Sequence, residues 1–400
     1  MMKKNPYKIT VISLYMNYVL QGMAAIILSQ NMMYLVEQMN TTVPRFTLVI
    51  SAIGLGRIIT LYSAGRISDR WGRKLVIVLG MFSYVLFFGG ILWSQSLYMG
   101  IFFALFAGVA NALLDTGTYP TLLEAMPDLF DSVSVLNRAF ISIGQFILPI
   151  IVSLTIVNEL YFGLSFLFCL VILALNLVVV MKFIPFPTLN NDLKVTDRKE
   201  SDQGTVSNFS RYLAGSCLVL YGFTSVSTLN IFVTWIPHVA GQVIGMGPAA
   251  SVGLVSLYSA FSFVSVVMTS ILVKKWIKPI HLVLGYTAVA CITLMTLAFF
   301  PSVMTAYLAA FGVGFFATGG IWQLGLTTLL ELFPVNKGKI TSYYSFLTSI
   351  SVMMIPYITG KLEIGDVMKF NSVVTFIGVV LAFVTVICLE KTTKRVLVIN

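Results

Sequence analysis

The sequence predicts an all-α membrane protein of twelve transmembrane helices, arranged as two six-helix pseudo-repeats. Three observations carry that expectation. The 400 residues are 58% hydrophobic and only 10% charged, where soluble domains average ~25% charged. Apolar residues gather into twelve runs, most of roughly the 20 residues a helix needs to cross a bilayer. Lysine and arginine fall almost wholly in alternate connections between those runs, as expected when one face is cytoplasmic.

The first run, 9–36, follows the basic stretch MMKKNPYK. A signal peptide would have an apolar region of only ~7–15 residues. This run is longer and holds Gln21, Gln30 and Asn31, so it reads as a permanent first helix. Runs 44–66 and 73–94 enclose GRISDRWGRK, Gly65–Lys74, in which Arg66, Asp69, Arg70, Arg73 and Lys74 are charged; it reads as a tight hairpin on one membrane face. Runs 97–124, 132–157 and 159–184 complete the first half. The interval Pro185–Ser210 mixes both charges and lacks apolar periodicity, which predicts a flexible cytoplasmic linker. Runs 210–238, 246–273, 279–300, 302–333, 337–360 and 366–390 form the second half. In the tenth, Gly312, Gly314, Gly319 and Gly320 predict close helix contact. The expected division is an N-terminal bundle at 1–184, a linker at 185–209 and a C-terminal bundle at 210–400.

With the N-terminus inside, twenty of the 25 lysines and arginines lie in inside connections and tails, against Arg45, Lys361 and Lys369 outside. Both termini are therefore expected in the cytoplasm, and the chain in an inner (plasma) membrane. The same distribution explains the net charge of +10 as topology, which removes the case for a nucleic-acid partner. The bilayer is the expected surrounding and a monomer the expected form. Cys169, Cys217, Cys291 and Cys388 sit inside apolar runs without paired spacing and read as small buried hydrophobes. His238 and His281 stand far apart, which argues against a metal site. The sequence has no phosphate-binding loop of Walker type and no nucleophile–base or paired-carboxylate motif. No cofactor and no catalytic centre are expected, and enzyme activity is not.

The loop Gly65–Lys74 resembles the signature loop of the major facilitator superfamily, with Gly65, Asp69, Arg70, Gly72, Arg73 and Lys74 matching. The halves also repeat. Thr121-Leu122-Leu123-Glu124-x-x-Pro127 closes the fourth run, and Thr328-Leu329-Leu330-Glu331-x-x-Pro334 closes the tenth, 207 residues on. A degenerate loop counterpart, Lys274-Lys275-Trp276, follows the eighth. The resemblance implies parallel six-helix repeats that rock about a solute site near the midplane. It further implies that Asp69 clamps the loop against the eleventh helix in the outward-open state, while Arg70 and Arg73 engage an acid at the inner end of the fourth helix, here Glu124. Gly65, Asp69, Arg70, Gly72, Arg73 and Glu124 are thus expected to act as a conformational latch. Read alone, the cluster is a topogenic charge cluster.

A charge at the centre of a membrane helix costs at least ~2.5–3.5 kcal/mol on insertion scales, so Arg57, Asp115 and Arg138 need a reason. At a rise of ~1.5 Å per residue, Arg57 and Asp115 fall in the inner half of their helices, and Arg138 sits about two turns from its inner end. The three are placed to form one polar cluster. Asp115 is the expected proton-coupling residue, with Arg57 pairing it or holding an anionic solute. The competing reading is a structural ion-pair network with Arg138 snorkelling to the surface. Gly108, Asn111, Asp115 and Tyr119 share one helical face. Asp115-Thr116-Gly117-x-Tyr119-Pro120 and Trp235-Ile236-Pro237 resemble the fucose-type sugar permease branch, although the first run lacks the deep carboxylate of that branch. The resemblance implies that helices one, four, seven and ten line the pathway. Tyr18, Gln21, Tyr221, Thr228, Trp322 and Gln323 then join Arg57, Asn111 and Tyr119 as expected substrate-binding residues. The competing reading has these side chains packing helix to helix.

The expected function is secondary active transport: proton-coupled uptake of a small polar solute, a sugar or organic acid, by alternating access. Proton-coupled efflux of drugs or amphipathic metabolites is the alternative. It is weakened because no arginine precedes Gly108 where the drug antiporters of this superfamily carry one, and because GQFILPIIVS has a single, widely spaced Gly and Pro. A sensor that moves no solute would call for a large cytoplasmic domain, which the short tails do not suggest.

Overall fold

The computed structural model describes residues 7–125, 130–186, 208–275, 279–318, 321–333 and 337–399. Within these, the side chains of Asp69, Leu123, Asn208, Lys274, Lys275, 130–135, 337–338 and 391–399 stand outside the description. Most of the expected linker, 187–207, lies outside the described residues too.

An apolar run in hydrocarbon must satisfy its own backbone, and among the described residues every regular element is helical. The first six crossings are α1 (Lys8–Gln30) with the short α2 (Met32–Gln38), α3 (Val43–Trp71), α4 (Arg73–Trp93), α5 (Leu97–Ala125), α6 (Phe130–Val157) and α7 (Leu164–Lys182). The last six are α8 (Asn208–Gln242), α9 (Pro248–Lys275), α10 (Pro279–Phe299), α11 (Val303–Gly312) continuing through a π-helical turn at Val313–Ala317 into α12 (Ile321–Leu332), α13 (Lys337–Thr359) and α14 (Ile364–Ile399). Eleven of these stretches are long and apolar enough to span a membrane by length and composition. The twelfth crossing is α13, richer in Ser, Thr and Tyr, which packs on α3 and α8.

Helix pairing repeats from one set of six to the other. In the first set α1 packs on α6 and on α7, and α4 on α7; in the second α8 packs on α13 and on α14, and α10 on α14. Glu124 and Glu331, the acids of the repeated Thr-Leu-Leu-Glu sequence, stand at the ends of α5 and α12. The two sets meet along α6 with α9 and along α3 with α13. Ser142 Oγ and Ser262 Oγ share a hydrogen bond of 3.0 Å across this boundary, Ser256 Oγ donates to the Phe146 carbonyl (2.9 Å), and Ser153 Oγ donates to the Ala249 carbonyl (3.2 Å).

The boundary is closed at one end and open at the other. A Cβ on Gly54 of α3 would stand 2.3 Å from the Met353 nitrogen of α13, and one on Gly360 would stand 2.3 Å from Thr47 Oγ1. Gly65 lies eleven residues, three turns, beyond Gly54 on the same face of α3. A Cβ there would meet nothing within 4 Å. The two sets therefore press together towards the face opposite the termini and part towards the face that carries them. Trp235 on α8 is fully buried at the closed end and donates Nε1 to Thr359 Oγ1 on α13 at 2.9 Å.

Candidate functional site

Close approach of α5 to α3 positions the charged centre. A Cβ at Gly108 would stand 2.0 Å from the Ile53 carbonyl and 2.5 Å from the Arg57 nitrogen, so only glycine lets the two backbones come this near. Two turns further along α5, Asp115 Oδ2 meets Arg57 Nη2 at 3.2 Å. Gln21 Nε2 of α1 donates to the other carboxylate oxygen, Oδ1, at 3.2 Å. The carboxylate thus takes partners from two other helices. The pair is not sealed: side-chain exposure is 25% for Arg57 and 33% for Asp115.

Around this pair the structure gathers most of the first-half residues singled out from sequence. Asn111 Oδ1, one turn before Asp115, accepts from the Tyr84 hydroxyl at 2.6 Å. Tyr18 is buried one turn before Gln21 on α1, and half-buried Tyr119 follows Asp115 by one turn on α5. The Tyr18 oxygen accepts from Asn137 Nδ2 of α6 at 3.3 Å. That bond ties α1 to the residue next to Arg138. Three buried atoms here have no hydrogen-bond partner among the described residues: Arg57 Nε, Gln21 Oε1 and Asn137 Oδ1. Leaving a buried polar atom unpaired costs about 1–3 kcal/mol, so this centre is poised to take donors and acceptors from elsewhere.

The second-half residues expected at the site are not brought to the pair. Tyr221 is fully buried, with its hydroxyl 2.7 Å from Thr287 Oγ1 of α10, and Thr228 Oγ1 lies 2.8 Å from Thr375 Oγ1 of α14. Both line a cavity of about 10 Å³ among α8, α10, α12 and α14, room for about one water. Trp322 packs its ring 5.3 Å from that of Tyr344, whose hydroxyl donates to the Trp322 carbonyl (3.0 Å). Half-buried Gln323 follows it on α12.

Of the expected latch, Arg73 Nη1 meets Glu124 Oε1 at 2.5 Å, joining the start of α4 to the end of α5. Arg70 is exposed. Gly72 has φ 88°, which only glycine adopts without strain, and it both ends α3 and opens α4. Gly65 faces open space. The Asp69 side chain lies outside the described residues.

Sequence reading missed Tyr84 and Asn137. Asn137 had a visible signal, an amide beside an arginine in an apolar helix. Tyr84 had none, because an aromatic in an apolar run reads as packing.

The family model described as Major Facilitator Superfamily matches residues 14–356. The chain is 36% identical over 398 residues to the inner membrane transport protein YdiM of Escherichia coli (strain K12), covering 98% of this chain and 97% of that protein. Its fold is similar to that of a D-xylose–proton symporter, with a TM-score of 0.75 over 94% of this chain and 96% of the other at 13% identity. It is also similar to the E. coli fucose–proton symporter, with a TM-score of 0.63 over 95% and 99% at 16% identity. At such identities the likeness is one of fold. With the signature loop, the repeated helix pairing and the match along most of its length, the chain belongs to the major facilitator superfamily of transporters.

Proposed function

We propose that the protein is a proton-coupled secondary transporter that takes up a small polar solute by alternating access. It would act as a monomer in the inner (plasma) membrane with both termini in the cytoplasm. The observation that carries this reading is the Arg57–Asp115 pair, held at 3.2 Å and still a quarter to a third exposed. Asp115 is the acidic residue placed away from the ends of the crossings among the described residues, so it is the group there that a proton can neutralise. Ionised, it holds Arg57 and Gln21. Protonated, it releases the charge that binds three helices together, and the change biases the rocking of the two six-helix sets. The excess of lysine and arginine on the face with the termini supports a cytoplasmic assignment for that face. The structure then represents the inward-open state, in which the Arg73–Glu124 part of the proposed latch is paired within the first set. The proton symporters among the similar folds support coupling to protons.

Asp115→Asn in proteoliposomes tests the assignment. Accumulation driven by an inward proton gradient is expected to vanish while solute exchange survives. Full concentrative uptake by the variant removes Asp115 from the mechanism.

A further inference from the structure

Away from the ends of the crossings, the charged side chains among the described residues are Arg57, Asp115 and Arg138. Arg57 is neutralised by Asp115 at 3.2 Å. Arg138 has no acidic partner among the described residues. The interior therefore carries one uncompensated guanidinium, and its surroundings show where that charge sits. Ser142, one turn further along α6, bonds Ser262 of α9 across the boundary between the two sets. Tyr258 of α9 lies one turn before Ser262 and is buried. Thr318, at the end of the π-helical turn, donates to the Tyr258 hydroxyl at 2.9 Å. On the other side Asn137 donates to Tyr18, which sits one turn before Gln21 on α1, and Gln21 donates to Asp115. Arg138 thus carries a half-buried side chain between the Asn137–Tyr18 bond to the first set's charged centre and the Ser142–Ser262 contact with the second set.

We infer that Arg138, set one turn from the Ser142–Ser262 contact between the two sets, is an anion-binding point, and that the transported solute is a hydroxylated organic anion of the sugar-acid or hydroxy-acid class. This rests on the transporter reading above and narrows it. An arginine fork matches a carboxylate in two parallel hydrogen bonds. A monoanion balances the single excess charge, as a neutral sugar does not. The unpaired acceptors Gln21 Oε1 and Asn137 Oδ1 require donors, which hydroxyl groups on the same molecule supply. The Ser142–Ser262 bond one turn away puts this point beside the boundary between the sets.

The test is thermal stability of the purified full chain against matched pairs of compounds: gluconate with glucose, and glycerate and lactate with glycerol. A true ligand raises the Tm by mass action. An acid is expected to stabilise the wild type and its neutral counterpart to have no effect. Arg138→Gln is expected to weaken binding by about ten- to a hundredfold, the loss of one charge-assisted contact, and Arg138→Lys to restore part of it. Asn137→Ala, which removes the unpaired Oδ1 beside Arg138, is expected to weaken binding severalfold, a readout that remains should Arg138→Gln fold poorly. The inference is overturned if no acid stabilises the wild type, or if an acid stabilises Arg138→Gln as well as the wild type. A neutral sugar that binds both proteins equally sinks the anion site and leaves the transporter reading intact. An acid that needs Arg138 to bind but is still concentrated by Asp115→Asn does the reverse.

Discussion

Arg57 and Asp115 form a pair whose worth lies in being separable. A buried ion pair contributes little net stability over an apolar replacement, whereas stripping one partner leaves an uncompensated charge. Here the carboxylate is already one-third exposed, which makes it reachable by a proton. The guanidinium keeps a further donor, Nε, unpaired. Arg57→Lys preserves the charge and removes the planar fork. Gradient-driven uptake by that variant is expected to fall about tenfold, the cost of one lost charge-assisted contact. Uptake at the wild-type rate in proteoliposomes would reduce Arg57 to a plain counter-charge. Both residues were legible in the sequence because a charge inside an apolar run is expensive and so demands a partner. The network that orients them was not: Tyr84, Tyr18 and Asn137 act through side-chain contacts between helices distant in sequence, and nothing in a linear pattern pairs Asn137 with Tyr18.

At the scale of helices, the contact of α3 with α13 decides which face is open. Gly54 permits backbone contact at the closed end, while Gly65 on the same face of α3 meets nothing. Gly54→Leu forces the two helices apart where they now touch. It is expected to shift the population towards the opposite opening, raising about tenfold the rate at which an impermeant maleimide labels a cysteine placed at Thr47, which is fully buried here. An unchanged rate would show that α3 and α13 do not form the closed gate. Helix positions were readable from hydropathy, since lipid demands a continuous apolar run. Two interruptions were not. The break at Asn31 sits where the Asn31 amide donates to the Ile27 carbonyl (2.9 Å) and to Ser165 Oγ near the start of α7 (3.2 Å). The π-helical turn at Val313–Ala317 sits where Gly314 lies against the Tyr258 carbonyl of α9. The same limit explains Tyr221 and Thr228. Helical spacing put them on one face of α8, and only the packing of α10 and α14 shows that this face looks into its own set of helices.

Across the whole molecule, the repeat that surfaced as two short Thr-Leu-Leu-Glu sequences is a repeat of helix pairing. Here the boundary between the two sets is closed at one end and open at the other, with the chain's charged centre beside it. The charge ledger there reads two guanidiniums and one carboxylate. If one proton on Asp115 travels with one solute anion, the pair carries no net charge across the bilayer. The central claim is that solute and proton cross together, and proton movement is the direct readout. Vesicles holding the wild-type chain and a trapped pH dye should acidify inside when gluconate or glycerate is added outside, and vesicles holding Asp115→Asn should not. Solute entry without acidification in the wild type, or equal acidification in both, would contradict it.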